Sequence, residues 1–393
     1  MKAFAAGFIL LCCCTAAIPI IKAQETYKRI LDDPRAFNGP KGSVVEPSSL
    51  DSIPVGLFSP FNQDNPAAQD LNRGVKLAIE QANAAGGFQG VDFSLVQRWA
   101  GSPWAAGSKE VIRLVYGDRV WAIIAFRDGA GHIAQQVAAK AYVPVIAPLS
   151  SDVSLTHSGV PWIFRLPPDD RVQARLLVKD SIAKKYFSRV GLVSGTDQNS
   201  RAAGAAMEKE LKRQNIPPIF HFQVSPGIID FQALVERIRG FAPNVLIPCL
   251  QSPVLPKLLK TLQRNGIDCS LSMPWVPGVE VKKLQAIYQG LINIVEPFQV
   301  LDGEKLGEIY QRFSRDYEKR YSVFPTYSAA YAYDSAQMII HSIRSKGLNR
   351  PAIRLGLEEL AGYEGVSGTV KWDNGGGNPG NPVLNDCRVL KPE

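Results

Sequence analysis

From residue 53 onward the chain alternates short apolar runs with amphipathic stretches, and it does so in two successive series. The first series has apolar runs at 53–58, 93–96, 120–125 and 143–147. Between the first two, Leu71, Val75, Leu77, Ala78, Ile79 and Ala82 are read as one helical face, and Gly86-Gly87 supplies a stop just past the end. Further helices are expected over 109–116 and 133–141. After Phe164-Arg165-Leu166-Pro167-Pro168 the rhythm resumes, with apolar runs at 190–193, 219–224, 245–248 and 271–275 and helices over 201–214, 231–239 and 254–265. Strands this apolar on both faces, each followed by a helix, predict parallel sheets covered on both sides. Roughly 370 residues exceed what one core supports, so two doubly wound α/β lobes are expected. In such sheets ligands sit beyond the carboxyl ends of the strands, which directs attention to the residues just after each strand.

The first 23 residues read as a secretory signal: Lys2, an apolar core over 4–21, and a cut after Ala23. A membrane anchor stays open as the alternative, because the run is close to the ~17 residues that can span a bilayer. Cys12, Cys13 and Cys14 raise a lipid anchor, which is disfavoured because Leu11 and other cysteines stand where a small residue is wanted. Residues 24–50, rich in Pro, Gly, Ser and charge, read as a surface leader, and the mature chain is expected in the periplasm. The formal charge is +8, or +6 without Lys2 and Lys22, and no basic run stands out, so nucleic acid is not an expected partner. Outside the signal stand Cys249, Cys269 and Cys387. Cys249 ends one predicted strand and Cys269 begins the next, placing them at opposite sheet edges, about 15–20 Å apart for a strand of five or six residues. A disulfide needs Cα atoms within about 7 Å, so 249–269 is not expected to pair. The spacings match no metal site, and no cofactor is expected.

Several motifs now add up to a resemblance. Gly56-Leu57-Phe58-Ser59-Pro60, then Arg73-Gly74-Val75-Lys76-Leu77-Ala78-Ile79 and Asn83-Ala84-Ala85-Gly86-Gly87, are similar to the opening of the leucine/isoleucine/valine-binding protein family of ABC transporter substrate-binding proteins. Val143-Pro144-Val145-Ile146-Ala147-Pro148 with Ser150 and Ser151 resembles its fourth strand and ligand loop. Ala330-Tyr331-Ala332-Tyr333-Asp334-Ser335-Ala336 resembles its late helix, and Gly365 to Asp373 its closing hairpin. The resemblance implies a periplasmic binding protein type I: two lobes, three hinge crossovers near 166, 299 and 363, and closure on a ligand. Lobe 1 would then hold 51–166 and 300–362, and lobe 2 would hold 167–299 and 363–393. It also implies a small-molecule ligand, ABC permease subunits as partners, a monomer, and no reaction. A ligand-sensing subunit of the same fold is the alternative.

In that family a bound carboxylate is held by hydroxyls and backbone N–H groups of the first lobe and an ammonium by an acid of the second. Ser150 and Ser151 match the hydroxyl loop, and Asp128-Gly129 the other carboxylate turn, at a helix start where free N–H groups attract an anion. Asp128 is either a ligand contact or a helix cap. The family's acid would fall at Val276 or Pro277, neither of which can hold an ammonium. Trp275, Trp104 and Phe61 are candidate cleft walls, Arg98 a candidate charge partner, and Gln198 and Gln251 candidate polar contacts from the second lobe. The expected ligand is therefore an amino acid or, by preference, a related organic or aromatic acid. Gly129-Ala130-Gly131 lacks the third glycine of a dinucleotide loop. The four His are scattered, and the sequence displays no nucleophile beside an oriented base.

Overall fold

The computed structural model describes residues 50–60, 65–99, 101, 103–185, 187–225, 227, 230–299 and 305–387. The signal, the leader up to residue 49 and Phe61 lie outside the described residues, as do the side chains of Asp128 and Cys387.

The first lobe is built on β1 (Ile53–Phe58), β2 (Phe93–Arg98), β3 (Ile123–Ala125), β4 (Val145–Ala147) and β5 (Ile163–Arg165), all parallel in the order β2-β1-β3-β4-β5. Its helices are α1 (Pro66–Ala84), α2 (Ser108–Ile112, flanked by π-helical turns), α3 (Asp128–Ala141) and the short α4 (Ser154–His157). Asn65 starts α1 by accepting the Ala68 N–H at 3.1 Å, with Pro66 at the first helical position, where its missing N–H costs nothing.

The second lobe begins with α5 (Asp170–Leu176, continued by a π-helical stretch). It goes on through β6 (Val190–Gly195), α6 (Gln198–Arg213), β7 (Phe220–Val224), α7 (Gln232–Phe241), β8 (Val245–Cys249), α8 (Leu255–Arg264), β9 (Ser270–Met273), α9 (Val281–Gln285) and β10 (Ile292–Glu296). The chain then returns to the first lobe as α10 (Lys305–Tyr321), α11 (Tyr327–Lys346), α12 (Arg350–Glu358) and the hairpin β11 (Glu364–Gly365) and β12 (Gly368–Thr369). Finally β13 (Val383–Cys387) closes the second sheet, antiparallel to β10, in the order β13-β10-β9-β8-β6-β7.

Strands such as Val190–Gly195 and Val245–Cys249 are buried along their whole length, as their two-sided apolar sequences require. Cys249 and Cys269 are both free and buried. Among the described residues no helix is long and apolar enough to cross a membrane.

Two details differ from the sequence reading. Phe164-Arg165, read as the start of the break between the two series, form with Ile163 the fifth strand of the first sheet, inside the 51–166 span expected for lobe 1. Three residues between Pro161 and Pro167 are too few to display a periodicity. The closing hairpin packs on the first lobe: buried Asp334 of α11 accepts the Val366 and Ser367 N–H groups at 2.9 and 2.8 Å, and Trp372 packs on Phe164 with ring centroids 5.2 Å apart. The last crossing therefore lies beyond Asn378, whose N–H still bonds Arg165 O at 2.8 Å, and not near 363.

Burial pushes the Asp334 carboxyl up to about 6, while its hydrogen bonds from Ser367 and Val366 act in the opposite direction. The folded state thus holds this proton more tightly than the unfolded chain, whose Asp titrates near about 3.9. Its contribution to stability is present below that value and lost as pH rises through about 6, by an amount on the order of 3 kcal/mol. Asp334→Asn removes the titration, so the melting temperature of the variant minus that of the parent is expected to increase between pH 4 and pH 7. A difference that stays constant with pH would contradict this account.

Candidate functional site

Loops that follow parallel strands collect at one edge of each sheet, and here the two edges face each other. Between them lies a cavity of about 300 Å³. The first lobe lines it with Asn65 after β1, Trp99 after β2, and Phe126, Arg127, Gly129 and Ala130 after β3. The second lobe contributes Asp197, Gln198 and Asn199 after β6, Gln251, Ser252 and Pro253 after β8, and Pro277 after β9. In both sheets the neighbours β1/β3 and β6/β8 mark the point where strand order reverses. Doubly wound sheets open their binding crevice there. A larger groove, about 1040 Å³, runs along the opposite edge of the first sheet past Leu50, Tyr116, Trp121 and Arg350. It sits at the amino ends of the strands and touches only one lobe, so the smaller cavity is the candidate site.

Trp99 is held by Phe58, with ring centroids 5.1 Å apart, and Trp104, 55% exposed, lies over His132 at 6.4 Å. Phe126 is buried beside them. Arg127 precedes α3 with extended backbone, and among the described residues it is the one cationic side chain lining the cavity. The N–H groups of the first turn of α3, at Gly129 and Ala130, have no partner within the helix and add positive potential at the same place.

Asp197 is the corresponding acid, but it is turned back on its own loop. One oxygen caps α6 by accepting the Ser200 N–H at 3.1 Å; the other lies over Gly195, where a Cβ would come within 2.5 Å of it. Gly278, with φ of +78°, brings the loop after β9 against α1: a Cβ there would stand 3.0 Å from the Ala67 nitrogen.

At the cavity rim, Asp152 of the first lobe faces His132 Nε2 at 3.1 Å and accepts the Ser154 N–H and hydroxyl, each at 2.8 Å. Gln198 of the second lobe donates to it at 3.2 Å. Burial alone would raise the Asp152 carboxyl, but these hydrogen bonds outweigh it and hold the group well below the usual carboxylate range.

The structure brings Gly129, Gln198, Gln251 and Trp104 to the cavity, and Pro277 stands where an acid would be wanted. Ser150 and Ser151 do not reach the lining; Ser150 is fully buried, and the Ser151 carbonyl accepts the Asp170 N–H at 2.9 Å beside the first crossing. Trp275 is 6% exposed, packs on Tyr331 at 5.7 Å and donates its backbone N–H to Gln173, so it fills the space between lobes behind the cavity. Arg98 points away: its Nε and Nη2 donate to the two Asp118 oxygens, each at 2.9 Å. The sequence reading does not name Arg127, although its place two residues past the end of β3 is the available signal.

One expectation needs correcting. A nucleophile, base and acid do line up: Ser194 Oγ lies 2.8 Å from His221 Nε2, and His221 Nδ1 lies 2.9 Å from Glu208. Yet Ser194 is fully buried, and Gly204 of α6 covers it so closely that a Cβ would come 3.1 Å from its hydroxyl. A substrate carbonyl has no room at that oxygen, so the relay ties β6, β7 and α6 together. Among the described residues no group of three or more His, Cys, Asp or Glu could hold a metal ion.

Two α/β lobes enclosing a small cavity at their switch points define a solute-binding architecture. The family model "Periplasmic binding protein" matches residues 52–384, and the chain belongs to that family. Its members are extracytoplasmic solute-binding proteins. Relatives include an "Amino acid binding protein" of Pseudomonas aeruginosa, 22% identical over 342 residues, covering 84% of this chain and 88% of the relative. "Leu/Ile/Val-binding protein homolog 2" of Brucella abortus is 22% identical over 338 residues, covering 83% of this chain and 87% of its own. Among solved structures, the LivJ substrate-binding protein of Streptococcus pneumoniae in complex with isoleucine aligns with a TM-score of 0.76 at 20% identity, over 85% of this chain and 95% of that one. A solute-binding protein of an R. palustris ABC transporter in complex with benzoate aligns at 0.75 and 16% identity, over 85% and 92%.

Because Ser194 is sealed, a fluorophosphonate probe of serine nucleophiles is expected to leave the native protein unlabelled. Labelling that disappears in Ser194→Ala would reopen an enzymatic role.

Proposed function

We propose that this chain is the exported solute-binding component of an ABC-type importer, and that it closes around a small organic acid held by its carboxylate. The observation that carries the reading is Arg127, set at the amino end of α3 inside a cavity walled by Trp99, Trp104 and Phe126. A carboxylate enclosed by two lobes loses its water and needs matched donors; a guanidinium at a positive helix end supplies them in the strongest form. The aromatic faces take the apolar part of the ligand. An ammonium finds less: Pro277 stands where an acid would be wanted, and the Asp197 carboxylate caps a helix. The benzoate bound by the R. palustris neighbour is in keeping with this preference, and the isoleucine bound by LivJ supports the amino acid reading instead. Export by residues 1–23, a monomeric state and docking onto membrane permease subunits complete the proposal.

Thermal-shift measurements on matched pairs decide the ligand class, because a ligand that binds only the folded state raises the melting temperature. Benzoate, phenylpyruvate and the 2-oxo acid of leucine are expected to stabilise more than phenylalanine and leucine. Arg127→Met is expected to weaken benzoate binding by about 2–3 kcal/mol, read as a smaller benzoate-induced shift from the variant's own ligand-free melting temperature. Stabilisation by the amino acids alone would refute the carboxylate preference and move attention to Asp197 and Asp128 as ammonium partners.

A further inference from the structure

Gln198 was expected to touch ligand, and it does line the cavity, yet both ends of its amide are engaged elsewhere. Its nitrogen donates to Asp152 across the cleft at 3.2 Å, and its oxygen accepts from Arg201 at 3.1 Å along the same helix. Asp152 is 3% exposed and keeps Ser154 and His132 as partners from its own lobe. Separating Gln198 from Asp152 therefore leaves this carboxylate with Ser154 and His132 of its own lobe, and water can take the place of the Gln198 bond. Gln198 is the first residue of α6 and belongs to the second lobe, whereas Asp152 sits in the first-lobe loop after β4, one residue past Ser151, whose carbonyl accepts the Asp170 N–H beside the first crossing.

We propose that Asp152 and Gln198 form a latch that sets how much of the ligand-free protein is closed, so that Gln198 governs affinity through closure and not through ligand contact. The proposal rests on the two-lobed binding reading but not on any particular ligand. Where only the closed form binds tightly, affinity scales with the closed fraction, so a latch residue changes the affinity of every ligand by the same factor and leaves their ranking intact. A residue touching the ligand changes the ranking.

The test uses ligand-free protein. Spin labels are placed at exposed Lys140→Cys on α3 and Lys209→Cys on α6, in a Cys387→Ser background, with Cys249 and Cys269 left in place because they are buried. Double electron–electron resonance then reads the closed and open distances. Gln198→Ala is expected to lower the closed-to-open ratio about tenfold, the value of one hydrogen bond to a charged acceptor. Gln198→Lys, which replaces the bond with an ion pair to Asp152, is expected to keep or raise that ratio. An unchanged ratio in Gln198→Ala, a Gln198→Lys protein as open as the alanine variant, or a parent that is wholly open without ligand overturns the latch. With no ligand present, that failure leaves the carboxylate reading intact, and failure of benzoate to stabilise the protein leaves the latch intact.

Discussion

Parallel strands cannot be joined by a tight turn; each must return through a helix to start the next strand from the same side. Everything else in this molecule follows from that constraint. It gathers the loops after β1, β2 and β3 at one edge of the first sheet and those after β6, β8 and β9 at one edge of the second. Because strand order reverses between β1 and β3 and again between β6 and β8, the loops there diverge and leave room between them. The cavity is the space that two such reversals leave when their edges meet.

Two charges line the cavity and are placed differently. Arg127 stands at a helix start whose N–H groups reinforce its sign, and the Asp197 carboxylate caps α6. Capping and ligand binding draw on the same lone pairs, so a carboxylate used for one is weakened for the other. Ser194, His221 and Glu208 carry a related lesson. Their hydrogen-bond order is that of a catalytic relay, but a nucleophile with no space before it has no chemistry to perform.

The first crossing and the rim of the cavity are built differently. At the first crossing Arg165, 1% exposed, lies 3.4 Å from Asp169, and its backbone pairs with both Gly376 and Asn378 of the returning chain. Removing one member would strand a buried charge, so this cluster resists rearrangement. At the rim, Asp152 has partners within its own lobe and loses little when Gln198 leaves.

The sequence by itself determined eight of the strands and their sidedness, but not β5, β10 or β13. Runs such as 190–193 and 245–248 are apolar on both faces, and residues with no polar side have nowhere to go but between two layers of helices. That logic also located Gly129, Gln198 and Gln251, because any residue after a strand of such a sheet falls at the binding edge. It could not find Ile163–Arg165 or place the closing hairpin, since elements of two or three residues carry no period. Nor could it tell that Arg98 turns to Asp118, that Trp275 backs onto Tyr331, or that Gln198 reaches Asp152. Those outcomes depend on partners 20, 56 and 46 positions away along the chain. Periodicity reports how a residue faces its own element, whereas the direction in which a side chain finds its charge or its ring is set by what the other elements bring beside it, and that is decided only when the two lobes are packed.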